Sequence, residues 1–260
     1  MRIAARSDVG LVRVKNEDAY WYDSDRGIFV IADGLGGLQA GEIASTMAVQ
    51  IISKRLTQAI DLSLTEDRLA DEMYDSFRVA SNEIFQRGSE SEELQGMSCS
   101  VLAAIIQDEH CVIAHAGDTR AYLLYENTLH QITVDDTPVA AMVKRGYLLP
   151  EKARSHSMKN FLLKSLGNQT NVEANLSQFP VKSQERLLLC SDGLWAMVAK
   201  ETIRDILLTE DPEIVCLELI GAARNQGGSD NITVMVIEIG DQAKSITPTD
   251  TTTEMPRTYL

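Results

Sequence analysis

The sequence predicts a mixed α+β fold whose strands pair antiparallel. Three observations lead there. Two long stretches with apolar residues at helical spacing follow an early strand. A run of short, β-rich segments divided by turn residues then fills the middle of the chain. No helical stretch separates those middle segments, as parallel pairing would require.

Taken in order, residues 3–7 and 28–32 read as strands. A helix is expected over 40–59, where Ile43, Met47, Val49 or Gln50, Ile51 and Leu56 recur at helical spacing. A second is expected over 66–87, with Leu69, Met73, Phe77, Ala80 and Ile84 on one face and acidic residues on the other. Both stripes are expected to face the core. Residues 99–107, 111–116, 120–125 and 128–132 read as an antiparallel meander, with Asp108-Glu109 and Glu126-Asn127 as hairpin loops.

The stretch 134–167 is different. It holds a helical piece at 139–145 and a polar loop at 150–160, and over its length it carries Lys144, Arg145, Lys152, Arg154, Lys159 and Lys164. It reads as a flap beside a site or as an ordinary helix–loop insertion. Strands resume at 171–179 and 185–190, helices follow at 200–208 and 212–225, and a strand at 231–239 closes the domain. One domain is therefore expected over 1–240. Residues 241–260 are rich in Ser, Thr and Pro and are expected to stay disordered, because they cannot bury enough apolar surface to order themselves.

The composition fits one domain: 260 residues, 44% of them hydrophobic, can build a full core. There are 24 basic and 38 acidic residues, a net charge of −14. That balance argues against nucleic acid, which needs a basic face, and against an anionic membrane. It favours cations, although solubility alone would also account for it. Cys99, Cys111, Cys190 and Cys216 sit in apolar stretches and form no C-x-x-C pair, so reduced core thiols are expected. Cysteine-phosphatase chemistry needs an Arg a short loop beyond the nucleophile; the residues at that spacing are Ile105, Gly117, Ala196 and Ala222. His110, His115, His130 and His156 are too scattered for a zinc site. The start, Met1-Arg2-Ile3-Ala4-Ala5-Arg6, lacks an apolar leader region, and a cytoplasmic location is expected.

The chemistry lies in five acidic motifs: Arg13-Val14-Lys15-Asn16-Glu17-Asp18, Ala32-Asp33-Gly34, Gly117-Asp118-Thr119-Arg120, Ser191-Asp192-Gly193 and Ser229-Asp230-Asn231. The last four place a single Asp at the end of an apolar run or at a turn. Carboxylates brought together from separate strand ends repel unless a cation lies between them. Hard oxygen donors without His or Cys select magnesium, manganese or calcium. Arg13 lies four residues before Glu17. It reads as a phosphate clamp, since its fork matches two phosphate oxygens, or as an ion-pair partner of the acidic cluster.

These motifs resemble a known family. Ser7-Asp8-Val9-Gly10, with Arg13 and Asn16-Glu17-Asp18, is similar to the opening motif of the metal-dependent protein phosphatases of type 2C. Ala32-Asp33-Gly34-Leu35-Gly36-Gly37 with Ala40-Gly41-Glu42 resembles the second motif in its bacterial form. Ala116-Gly117-Asp118-Thr119-Arg120-Ala121-Tyr122, Leu166-Gly167, Cys190-Ser191-Asp192-Gly193-Leu194-Trp195 and Ser229-Asp230-Asn231-Ile232-Thr233 follow in the family's order, over about residues 1–240.

The resemblance implies a four-layer αββα sandwich of two antiparallel sheets flanked by helices. It implies hydrolysis of phosphoserine and phosphothreonine on proteins by a hydroxide that bridges two Mn2+ or Mg2+ ions and attacks phosphorus in line. Asp33 would bridge both ions. Asp192 and Asp230 would hold one, and the Gly34 carbonyl with the Glu17 carboxylate the other. Asp18 would support the cluster from beside it, Asp118 with Asp192 would hold a weaker third ion, and Arg13 would grip the phosphate. The implied partners are phosphorylated proteins and a serine/threonine kinase that the enzyme opposes; a monomer is expected.

The chain departs from the pattern in places. Leu38 and Leu35 stand where bacterial and animal members carry His, so the general acid is unassigned, with His156 on the flap as one candidate. Gly96-Met97-Ser98 replaces Gly-Thr-Thr, and Asp135-Asp136-Thr137 replaces Asp-His-Ser. Two other readings compete: a non-catalytic metal-binding regulator on the same fold, and a phospho-acceptor receiver domain. The second needs alternating β and α units, which the meander lacks.

Overall fold

The structure is a computed structural model, and it describes residues 1–35, 40–63, 65–153, 156–209 and 211–240. The Gly36-Gly37-Leu38 segment, Arg154 and the 241–260 tail of the sequence reading lie outside the described residues. The strands are β1 (Arg2–Asp8), β2 (Ala19–Asp23), β3 (Ile28–Leu35), β4 (Ser98–Gln107), β5 (His110–Ala116), β6 (Arg120–Tyr125), β7 (Thr128–Gln131), β8 (Asn175–Pro180), β9 (Arg186–Cys190) and β10 (Ile232–Glu238). The helices are α1 (Gly41–Asp61), α2 (Glu66–Gly88), α3 (Pro138–Lys144), α4 (Pro150–Ala153), α5 (Asp192–Trp195), α6 (Lys200–Leu207) and α7 (Pro212–Asn225).

Two five-stranded sheets form, the first in the order β1-β10-β9-β6-β7 and the second in the order β2-β3-β4-β5-β8. Every strand pairing is antiparallel. Helices α1 and α2 cover the outer face of the second sheet, with Ala44, Ala48, Ile52 and Leu56 of α1 and Met73, Phe77 and Ile84 of α2 buried against it. Helices α5, α6 and α7 cover the first through Leu194, Ile203, Leu207, Val215 and Leu219. The layers therefore run helix, sheet, sheet, helix, as expected. The stripe on α1 is offset by one position from the expected one. Small alanines let the helix lie close on the sheet, while Ile43, Met47 and Ile51 are only partly buried beside them.

The four-strand meander is the main correction. Strands β4 and β5 pair in the second sheet, whereas β6 and β7 pair in the first. The chain changes sheets at Gly117-Asp118-Thr119. Gly117 has φ +112, and a Cβ there would meet the Ser100 Oγ at 2.4 Å, so only glycine fits the crossing. The two hairpin loops are as expected: Asp108, Glu126 and Asn127 all take positive φ, as tight turns between twisted strands require. Strand β2 escapes sequence reading because it is a short edge strand with Tyr20 and Tyr22 exposed. Strand β8 starts at Asn175, later than expected, and one helical turn, α4, interrupts the polar loop.

The layer between the sheets places the site. Along β3, Ile28, Val30 and Ala32 face the helices, while Phe29 and Ile31 face the other sheet. Alternation makes Asp33 the next inward position. The same step runs from Leu102 to Ser100 on β4, from Ala5 to Ser7 on β1, from Met235 to Thr233 on β10, and from Leu189 to Ser191 just past β9. Burying each of the large apolar side chains contributes about 1.5–3 kcal/mol. At one end of the sandwich the interlayer thus changes from apolar to polar.

Candidate active site

The acidic residues reach this polar end from both sheets. Asp33 belongs to β3, two positions before its last residue, Leu35. Asp192 is the first residue of α5, directly after β9 and Ser191. Asp230 lies two positions before β10 begins. Glu17 and Asp18 close the loop from β1 to β2, and Asp118 occupies the crossing between β5 and β6. Burial holds the Asp33 carboxyl well above the ordinary carboxylate range, and Asp18, Asp192, Asp118 and Asp230 push it further in the same direction as like charges. Burial, followed by neighbouring carboxylates, likewise raises Asp118 and Asp192. One cleft therefore gathers five aspartates. Glu17 stands at its edge, raised by burial and by Glu42 and Asp230, and lowered by Arg13.

Hydroxyl groups orient Asp18. Its Oδ2 accepts from Ser191 Oγ at 2.8 Å and from Thr233 Oγ1 at 2.6 Å. Ser7 Oγ is 2.7 Å from Thr233 Oγ1, and Asn16 Nδ2 donates to Ser7 Oγ at 2.7 Å. With Thr233 donating to Asp18, the protons run from Asn16 through Ser7 and Thr233 to the carboxylate. These donors favour the charged form of Asp18, but burial outweighs them and its pKa is raised. Asn231 holds the loop itself: its Oδ1 accepts from Glu17 N at 2.8 Å, and its Nδ2 donates to Val9 O and Lys15 O. Glu17 O in turn accepts from Gly34 N at 3.2 Å and from Ser45 Oγ at 2.6 Å. Gly34 has no room for a side chain, because a Cβ would lie 2.3 Å from Gly41 O and 2.5 Å from Glu17 O.

On the far side, Ser100 Oγ accepts from Asp118 N at 2.9 Å and Thr119 N at 2.8 Å, and Trp195 Nε1 donates to Asp118 O at 2.9 Å. The Arg120 guanidinium lies 3.5 Å over the Trp195 ring and grips Asp135 with two hydrogen bonds of 2.8 and 2.7 Å. Arg13 donates to Asp230 Oδ2 at 2.9 Å, with its side chain half exposed. Of the two arginines beside the cleft, one is committed to Asp135 and the other binds only at the rim. His156 Nδ1 accepts from Met158 N in its own loop, and among the described residues no hydrogen bond joins it to the cluster. All four cysteines are buried and free, and burial raises each thiol pKa.

The donor set suits a hard divalent cation. Among the described residues no three Asp, Glu, His or Cys side chains close into a ready cage; the acidic groups line a cleft instead of meeting at one point. Yet Asp18 Oδ1 and Asp192 Oδ1 are buried without a hydrogen-bond partner. Buried carboxylate oxygens without donors, crowded by like charge, need a positive partner. Every donor is oxygen, as magnesium and manganese prefer.

Sequence reasoning named the acidic residues and Arg13. It assigned no role to Ser7, Asn16, Ser191, Asn231, Thr233 or Trp195, although all six lie inside the motifs. The signal that finds the hydroxyls is strand phase: each falls on the inward-facing parity of its strand.

The chain is similar to known proteins. The family model for protein phosphatase 2C matches residues 13–212. The chain is 35% identical over 246 residues to the serine/threonine phosphatase stp of Listeria welshimeri, covering 92% of this chain and 96% of that one. It is 35% identical over 241 residues to the serine/threonine protein phosphatase PstP of Mycobacterium tuberculosis, covering 93% of this chain and 45% of PstP. Among solved structures, the PstP catalytic domain in complex with two manganese ions superposes with a TM-score of 0.82 at 33% identity, over 92% of this chain and 98% of that one. Stp1 of Staphylococcus aureus gives 0.85 at 28% identity, over 92% and 95%. The chain belongs to the protein phosphatase 2C family, as a serine/threonine protein phosphatase of the bacterial type. No helix among the described residues is long and apolar enough to cross a membrane.

Proposed function

We propose that this phosphatase removes phosphate from phosphoserine and phosphothreonine with two divalent ions, manganese or magnesium, held at the polar end of the sandwich. It would oppose a serine/threonine kinase in the cytoplasm, acting on that kinase and its substrates as a monomer. The observation that carries the reading is the crowding of Asp18, Asp118, Asp192 and Asp230 around Asp33. The manganese-bound PstP catalytic domain supports it.

Asp33 would serve both ions, Asp192 and Asp230 one of them, and the Gly34 carbonyl with the Glu17 carboxylate the other. Asp118 with Asp192 would hold a weaker third. When bound, the ions supply Lewis acidity that brings proton loss from water close to neutral pH. Asp18, fixed by Ser191 and Thr233, would support the ions from beside them with its remaining oxygen, Oδ1. Arg13 spends one of its five N–H donors on Asp230 and has the rest of its fork for phosphoryl oxygens. The buried thiols are out of reach of a phosphoprotein, so no phosphocysteine forms. The stretch 134–167 would be a flap beside this cleft, within one catalytic domain over 1–240.

Hydrolysis of a phosphothreonine peptide after chelation tests the reading. Turnover should vanish in EDTA and return with manganese or magnesium. Calcium should fail, because it is larger and coordinates more loosely. Undiminished turnover in EDTA would overturn the proposal.

A further inference from the structure

The segment 138–164 is rooted at both ends beside the site. On one side Asp136 N donates to Gly117 O at 2.9 Å and Gly117 N donates to Asp136 Oδ2 at 3.1 Å, next to Asp118. On the other, Leu166 exchanges two backbone hydrogen bonds of 2.9 Å with Cys99, the cross-strand partner of Gly34. From these roots the segment carries exposed apolar side chains: Tyr147 is 78% exposed, Phe161 63% and Leu149 60%.

Its charge runs against the rest of the molecule. In a chain of net charge −14, residues 138–164 hold six basic side chains and a single acidic one, Glu151. Lys144, Arg145 and Lys159 are exposed, and none of the three is in an ion pair among the described residues. The rest of the chain carries an excess of acidic residues. Here three cations stand among aromatic and aliphatic side chains, on a segment fixed to the wall of the cleft.

We infer that the 138–164 segment is a docking face for an acidic stretch of the phosphoprotein substrate, flanking the phosphorylated residue. This rests on the phosphatase reading given above. An extended peptide leaving the cleft across the Asp118 side meets the segment's roots first, and its carboxylates then find these cations. The attraction acts within a Debye length, about 8–10 Å at ordinary salt, so it reads the residues next to the phosphate and not the whole partner. An anionic membrane suits the face less well, because the remaining surface would be repelled from a bilayer.

The test uses the full chain in manganese with two phosphothreonine peptides that differ only in flanks of Asp/Glu or of Lys, and p-nitrophenyl phosphate as a substrate without flanks. The acidic-flank peptide should show the lower KM, by roughly tenfold for three exposed charge pairs, and the difference should shrink as salt rises. The variant K144E/R145E/K159E should abolish or invert that preference while kcat on p-nitrophenyl phosphate stays at the wild-type value. Replacing Tyr147 and Phe161 by Ser should raise KM for the acidic peptide alone. Equal KM for both peptides at low salt, with normal p-nitrophenyl phosphate turnover, would overturn this inference only. Absence of p-nitrophenyl phosphate turnover in the wild-type protein would overturn the phosphatase reading and this inference with it. Binding of wild-type protein to phosphatidylserine vesicles, lost in the triple variant and without any flank preference, would assign the face to a membrane instead.

Discussion

Arg13 and Asp230, 217 positions apart in the chain, form an ion pair of 2.9 Å at the rim of the acidic cleft. The candidate phosphate clamp is thus tied to a candidate metal ligand. Arg13→Ala should lower kcat/KM at least tenfold, about 1.4 kcal/mol, while calorimetric manganese affinity stays within a few-fold. Arg13→Lys should recover only part, since an ammonium cannot grip two oxygens in one plane. A collapse of manganese affinity in Arg13→Ala would make Arg13 a structural partner of Asp230 and nothing more.

Asp33 is the centre of the like-charge crowding. Asp33→Asn should abolish turnover, and Asp192→Asn and Asp230→Asn should come close. In chelator, Asp33→Asn should also stabilise the fold at neutral pH, because it removes a carboxylate whose ionisation the folded state resists. Its raised pKa means that this penalty fades as pH falls and Asp33 takes up a proton. Urea melts in EDTA at two pH values check the sign; turnover within tenfold of wild type would show that Asp33 is not a ligand.

Thr233 donates to Asp18 and lies opposite Ser7 in the β1–β10 register. Thr233→Val keeps the shape and removes the hydroxyl. Manganese affinity should fall roughly 10–100-fold, as it does when groups that orient ligands are lost. Thr233→Ser should restore it. Equal affinity in all three proteins would show that Ser191 alone fixes Asp18.

Gly34→Ala tests a close backbone approach in the site. Its Cβ would be driven against Gly41 O and Glu17 O, both main-chain atoms. The start of α1 and the Glu17 loop must then move apart, at a cost of about 1–3 kcal/mol. A lower denaturation midpoint and weaker manganese binding should appear together. Wild-type stability would mean that the N-terminus of α1 yields freely.

Asp33, Asp118, Asp192 and Asp230 were legible in the sequence because each ends an apolar run or sits at a turn, and α2 was legible because Leu69 to Ile84 keeps strict helical period. The division of the four middle strands between two sheets was not. Hairpin signals report which strands pair, and they are silent on whether consecutive hairpins join edge to edge; that was decided by Gly117 and its contact with Ser100. The supporting hydroxyls were hidden for a related reason. Ser and Thr at a strand end look like solvent-facing caps until the inward phase of the strand is known. Strand β2 stayed hidden because Tyr20 and Tyr22 face outward and leave no apolar run.

The sheet change at Gly117 has a mechanical meaning. Asp33 rides on one layer, Asp192 follows and Asp230 precedes a strand of the other, and Asp118 sits on the bridge between them. The gap across the cleft is therefore gauged by the thickness of the oily filling beneath it, where Ile31 and Leu189 act as shims. Swapping a shim for a slightly wider or narrower one would reset the jaw opening without touching any ligand. Because magnesium demands a tight octahedron and manganese forgives more, ion preference in such an enzyme becomes a property of its core and can drift with neutral-looking substitutions far from the surface.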